Sequence, residues 1–207
     1  MNLLARFISV LFHPLMMATY LCAILMLTYP PALDPVRAEI FSGFLLLIFF
    51  VTFLLPAINI GIFRFFGTIP SVMMTERRDR IIPFVFILLF YVMMTALFYW
   101  KFHIGFRDNV FKFLIIIDLL VIASTLITFF YKVSVHAIGI CGLLGILVPL
   151  NKISEDHNLF YPTIGLIVAA GGVMSARLYL NVHTLREVMI GAMVGFVISF
   201  VSVIVFF

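Results

Sequence analysis

Seven apolar stretches, at roughly residues 3–28, 39–63, 82–100, 112–131, 136–150, 160–176 and 184–206, take up most of this 207-residue chain. Runs of Phe, Leu, Ile and Val this long lack the polar alternation that a membrane-spanning β-strand needs for its lumen-facing side. Helices satisfy their own backbone hydrogen bonds in hydrocarbon, and ~20 apolar residues suffice to cross it. A soluble domain is excluded by composition. The chain is 65% hydrophobic and 11% charged, against about 45–50% and 25% in globular proteins. The sequence therefore predicts an all-α, polytopic membrane helical bundle of six to seven transmembrane helices, forming a single integral membrane domain over residues 1–207.

The fifth stretch is short, so it either borrows residues from its flanks or lies partly inside the bundle. The first runs past residue 20 without a small-residue cleavage pattern and reads as a retained span. Cys22 and Cys141 both sit in apolar surroundings, as small hydrophobes rather than a disulfide or metal pair. A net charge of +4 raises the question of nucleic acid. The arginines, however, collect at the ends of apolar runs, where membrane anchoring or an anionic ligand accounts for them, so no nucleic-acid partner is expected.

Pro14 and Pro56 fall inside spans and are expected to kink them. His13 precedes the first of these and is expected to bond a carbonyl that Pro14 frees. Asp118 lies inside the fourth span, where an ionisable group costs ~2.5–3.5 kcal/mol at the bilayer centre and must face protein or water. It either pairs with an arginine or sits nearer an interface than the hydropathy suggests. The segment Lys152 to Asn158 reads as a solvated loop.

With seven spans, three polar connections share one membrane face. They carry Arg77, Arg78 and Arg80; then Lys132, Ser134 and His136; then Arg177, His183, Arg186 and Glu187. His183 and Glu187 are four apart, so on a helix the carboxylate can orient the ring. Thr184 and Glu187 equally have the spacing of a capping box, which would occupy the Glu without chemistry. Ser134 suits the cap of the fifth helix, putting His136 in a first turn rich in unpaired N–H groups. Arg77 and Arg80, three apart, can face one ligand, or act with Arg78 as a positive-inside signal. Taken together, two histidines, several arginines, a helix N-terminus and a carboxylate describe metal-independent phosphoryl transfer. Cys/His metal spacing, a P-loop, G-x-S-x-G and C-x-x-C are absent from the sequence.

The segment "ARLYLNVHTLRE", residues 176–187, resembles the third signature of the type 2 phosphatidic acid phosphatase superfamily, S-R-x-x-x-x-x-H-x-x-x-D. Arg177, His183 and Glu187 fit its frame, with Ala176 for Ser and Glu for Asp. "VSVH", residues 133–136, is similar to the second signature, P-S-G-H, keeping Ser134 and His136 but with Val133 and Val135 for Pro and Gly. His136 and His183 stand 47 positions apart, enough for the two-span hairpin of that family. Against the first signature, K-x-x-x-x-x-x-R-P, Pro83 aligns, while Thr75 takes the Lys position and Ile82 the Arg position.

The resemblance implies a lipid phosphate phosphatase needing no metal or other cofactor. His183 would be the nucleophile forming a phosphohistidine, Glu187 its orienting group and His136 the general acid. Arg177 and Ser134 would bind phosphate oxygens, with Arg77 and Arg80 replacing the missing cations. The partners it implies are a phosphorylated lipid substrate and the surrounding membrane lipids, in a bacterial cytoplasmic (inner) membrane. The departures in the first two signatures leave a second reading open: a catalytically silent relative that binds anionic lipid or scaffolds a membrane complex. Sidedness stays open too. The motif face carries eight of the 13 Lys and Arg residues, but the excess reverses if five of the eight serve phosphate.

Overall fold

The computed structural model describes residues 2–72, 74, 76–154 and 157–207. Thr75, aligned above with a family lysine, lies outside them, as do Glu155 and Asp156 of the expected solvated loop. Among the described residues all regular structure is helical. Seven helical stretches are long and apolar enough to span a membrane: Leu3–Thr28, Ala38–Phe65, Arg78–Lys101, Asn109–Phe130, Val135–Ile153, Phe160–Tyr179 and Leu185–Phe206. The expected all-α polytopic class is the one observed. In chain order the α-helices are α1 (Asn2–Leu11), α2 (Met17–Thr28), α3 (Phe41–Phe49), α4 (Leu55–Phe65), α5 (Arg78–Lys101), α6 (Asn109–Phe130), α7 (Val135–Ile153), α8 (Phe160–Tyr179) and α9 (Leu185–Phe206). They divide between two compact units, Met1–Tyr29 with Val133–Phe207, and Pro30–Lys132.

In the first unit, Pro14 breaks the opening span rather than bending it. Proline pushes the preceding residue out of the helical region, and His13 is extended (φ −63°, ψ 137°) before a 3₁₀ turn, Pro14–Met16. Pro14 has no N–H for the carbonyl of Val10, four residues back. That carbonyl accepts instead from the main-chain N–H of His13 at 3.2 Å. The next orphan, Leu11 O, accepts from the Tyr20 hydroxyl at 2.7 Å. The main chain and Tyr20 thus donate to the carbonyls left by the break at Pro14. The His13 Nδ1 accepts from the N–H of Leu15 at 3.3 Å, capping the turn.

The short fifth span becomes α7, which gains three residues at its C-terminal end and is the most buried of the seven spans, 67% against at most 50% elsewhere. It packs lengthwise on α9 in the same direction. A Cβ on Gly191 would stand 2.6 Å from Ser134 O, and one on Gly195 would overlap Ile138 O. Small residues thus let two backbones touch, the usual basis of helix association in lipid. Because α8 returns the chain between them, α7 and α9 both begin at the same end of this unit.

In the second unit, α3 passes through a π-helical turn, Phe50–Leu54, into α4. Pro56 cannot donate to Thr52 O, four residues back. The Tyr91 hydroxyl on α5 donates to it instead, at 3.1 Å. Asp118 lies well inside α6 and is 6% exposed. Its neighbours are Thr95 and Tyr91 of α5, and no basic side chain among the described residues pairs with it. The arginine partner that the sequence allowed is not found among the described residues.

Candidate functional site

The segment between α8 and α9 is built by its own residues. Helix α8 ends as Leu180 N–H reaches Ala176 O and Asn181 N–H reaches Leu178 O, at 3.0 and 2.9 Å. Asn181 then adopts φ 52°, a left-handed conformation that asparagine tolerates better than most residues and that commonly ends a helix. Three residues later Thr184, extended at ψ 161°, caps α9 by accepting from Glu187 N–H at 3.3 Å. Arg177 is left in the last turn of α8, and His183 in the turn beside it.

Only half of the capping box forms. Thr184 does the capping, while the Glu187 carboxylate turns to the His183 ring, with Oε2 2.6 Å from Nδ1. A carboxylate oxygen can only accept from an imidazole N–H, so Nδ1 holds a proton, and in the neutral ring the lone pair is on Nε2. His183 is almost wholly enclosed, its side chain 2% exposed and that of Glu187 14%.

The start of α7 is fixed to this turn. Ser134 N–H donates to Glu187 O at 3.2 Å, and Ser134 Oγ accepts from Ala137 N–H at 3.4 Å. Ser134 is fully buried and its visible work is that cap. Its neighbour Val133 is also buried and lies 3.3 Å from where a Gly191 Cβ would be. Two residues past the cap stands His136, whose Nε2 is 3.1 Å from Ser9 O. A carbonyl accepts, so Nε2 carries that hydrogen and Nδ1 is the remaining nitrogen.

Groups from three sequence-distant segments converge here. Arg177, His13 and His183 all lie within electrostatic reach of the His136 ring, and Arg177 acts on His13 as well. The His13 and His136 rings meet edge-to-face with centroids 5.6 Å apart. Five of the sequence-derived residues, His183, His136, Glu187, Arg177 and Ser134, thus belong to one compact unit and one end of it. A guanidinium within electrostatic reach of buried imidazoles is a combination that can attract an anion.

Arg77 and Arg80 belong to the second unit. Arg77 donates from Nη1 to the carbonyls of Thr128, at 3.1 Å, and Phe129. These are last-turn acceptors of α6, a position that favours a cation. Arg80 is buried and its Nε donates to Met74 O at 2.8 Å. Their observed partners are main-chain carbonyls.

Sequence reasoning missed Ser9 and His13. Ser9 contributes only a backbone carbonyl, which no residue type announces. His13 was visible as an ionisable residue ahead of a mid-span proline, and the broken helix at Pro14 is what turns it towards His136. No family model, curated protein or solved structure matches the chain.

Proposed function

We propose that the protein is an integral membrane lipid phosphate phosphatase, acting without a metal through a phosphohistidine, in a bacterial cytoplasmic membrane. The single observation that supports it most is the Glu187–His183 pair, which holds Nδ1 protonated and Nε2 as a lone pair, beside Arg177 and His136.

In this reaction His136 starts protonated on Nδ1 as well, with Nε2–H kept on Ser9 O; His183 Nε2 attacks phosphorus, the bond from phosphorus to the lipid oxygen breaks, and the lipid oxygen leaves with the Nδ1 proton of His136. Glu187 stabilises the positive charge that the His183 ring acquires. Water then attacks the phosphohistidine, giving its proton to Nδ1 of His136, the N–P bond breaks, and inorganic phosphate departs with His183 and His136 both restored. Arg177 carries the phosphoryl charge as a planar, permanently ionised fork, and the N-terminus of α7 adds its dipole. Ser134 would contribute to phosphate binding by holding that terminus.

A second reading, a catalytically silent relative that binds anionic lipid or scaffolds a complex, is favoured by one observation. The His136 Nε2–H is committed to Ser9 O. The test is phosphate release by the purified protein from phosphatidic acid, phosphatidylglycerol phosphate and a polyprenyl diphosphate, beside His183→Ala and His136→Ala. Release that both substitutions abolish and EDTA leaves intact supports the enzyme. Wild-type release equal to the variants' background supports the silent relative.

A further inference from the structure

A helix leaves its last four carbonyls without a donor of its own. Helix α1 ends at Leu11, so these are the carbonyls of Ile8, Ser9, Val10 and Leu11. The main-chain N–H of Phe12 donates to Ile8 O at 2.9 Å, and that of His13 to Val10 O at 3.2 Å. The Tyr20 hydroxyl donates to Leu11 O at 2.7 Å. Ser9 O is met from α7, by the His136 ring, with Nε2 3.1 Å away. The helical donor to Ser9 O would be the N–H of His13, four residues on. His13, however, is extended ahead of Pro14, and its N–H lies on Val10 O. The break is also seated on α7 one turn beyond His136. A Cβ on Gly139 would stand 3.6 Å from Pro14 Cα and 2.9 Å from Met17 Cγ. Ser9 is buried, so little water competes for the contact.

We propose that the main-chain carbonyl of Ser9, supplied by the break at Pro14, is the positioning group of His136. By holding Nε2–H it makes Nδ1 the nitrogen that gives and takes the catalytic proton. This rests on the phosphatase reading, and it gives the first span a part in a site whose motifs all lie in the back half of the chain. The two histidines are then set in opposite senses. Glu187 holds Nδ1–H of His183 and leaves Nε2 for attack, whereas Ser9 O holds Nε2–H of His136 and leaves Nδ1 for proton transfer. The difference in acceptor suits the difference in task. A carboxylate stabilises the ring that becomes cationic on phosphorylation. A neutral carbonyl fixes tautomer and orientation while holding the imidazolium less tightly, so His136 can release its proton to the leaving oxygen.

Two substitutions test the two halves of this arrangement in the full-length protein in detergent. Pro14→Ala gives Val10 O a helical donor, releases the His13 N–H to Ser9 O, and lets the first span run on as one helix. Histidine ring nitrogens, isotope-labelled and read by NMR with the rings neutral, report the tautomer. The His136 signals, assigned by their loss in His136→Gln, should show the proton on Nε2 in the wild type and shared between both nitrogens in Pro14→Ala. Turnover of phosphatidic acid in mixed micelles should fall about 10- to 100-fold in Pro14→Ala, the usual worth of a hydrogen bond to a charged group. His136→Gln keeps an amide N–H near the Nε2 position and nothing at Nδ1. It should melt with the wild type yet release no phosphate above background, while His136→Ala, lacking both nitrogens, should melt lower. If Pro14→Ala does not fold, this last comparison decides. A wild-type His136 with its proton on Nδ1, an unchanged tautomer and turnover in Pro14→Ala, or a His136→Gln that melts with His136→Ala would each overturn the role of Ser9. A wild type that carries the Nε2–H tautomer but releases no phosphate would overturn the phosphatase reading and the catalytic part of this role, leaving the anchor of His136 on Ser9 O intact.

Discussion

Glu187 Oε2 sits 2.6 Å from His183 Nδ1, across one turn of α9 that Thr184 has already capped. Because the cap does not depend on the carboxylate, the pair can be tested apart from the helix. Glu187→Gln should leave the melting temperature within a degree or two and lower kcat on lipid phosphate on the order of 10²-fold. Thr184→Ala should do the reverse, costing about 1 kcal/mol of stability with a smaller effect on turnover. Chemical denaturation and phosphate release on the same preparations separate the two.

The contact between α7 and α9 leaves no room at Gly191 and Gly195. Gly195→Ala should force the helices apart at the Ile138 carbonyl and destabilise the unit by about 1–3 kcal/mol. It should also lower activity, since the site straddles the two helix starts. Gly171→Ala and Gly172→Ala, where an added Cβ meets nothing within 4 Å, should leave thermal unfolding and activity unchanged or slightly improved. A Gly195→Ala variant as stable as these two would contradict the close approach.

Tyr91 supplies the hydrogen bond that Pro56 denies to Thr52 O. Tyr91→Phe leaves that buried carbonyl without its donor and should cost about 1–3 kcal/mol. The paired substitution Tyr91→Phe with Pro56→Ala restores a main-chain donor, and a double-mutant cycle should recover most of the loss. Additive losses in the cycle would show that the two positions are not coupled.

Asp118 is buried beside Thr95 and Tyr91 with no basic partner among the described residues. A carboxylate in that setting is expensive to ionise. Asp118→Asn keeps the shape and the hydrogen-bonding capacity while removing the charge, so it should hold or raise the melting temperature in detergent. A fall of several degrees would mean that the ionised form is used by the fold.

Much of this was legible in the chain. Uninterrupted apolar length gave the seven spans, and the local signals at Ser134 and Thr184 gave the starts of α7 and α9, because caps act within three residues. The Arg177–His183–Glu187 spacing identified one end of the first unit, since α-helical geometry fixes what four positions mean. Three things were not legible. The Glu187 side chain had two partners available at the same spacing, and only the packed turn selects His183 over the cap. Asp118 meets its neighbours across α5 and α6, a register that no local pattern encodes. His13 joins the site through a helix break far from the motifs, and its capping geometry depends on which groups had already taken the carbonyls that Pro14 released.

The same-direction contact of α7 and α9 has a further consequence for protein engineering. Their axial offset is set by the bearing of Gly191 on Ser134 and of Gly195 on Ile138, not by the connection that leads from Ile153 back to Phe160 at the other end. Histidines 47 positions apart are thereby kept in register by a joint two residues from one and eight from the other. The distant connection is relieved of that duty. A reporter domain or affinity tag spliced into it should change the chain's length without changing the spacing of the imidazoles.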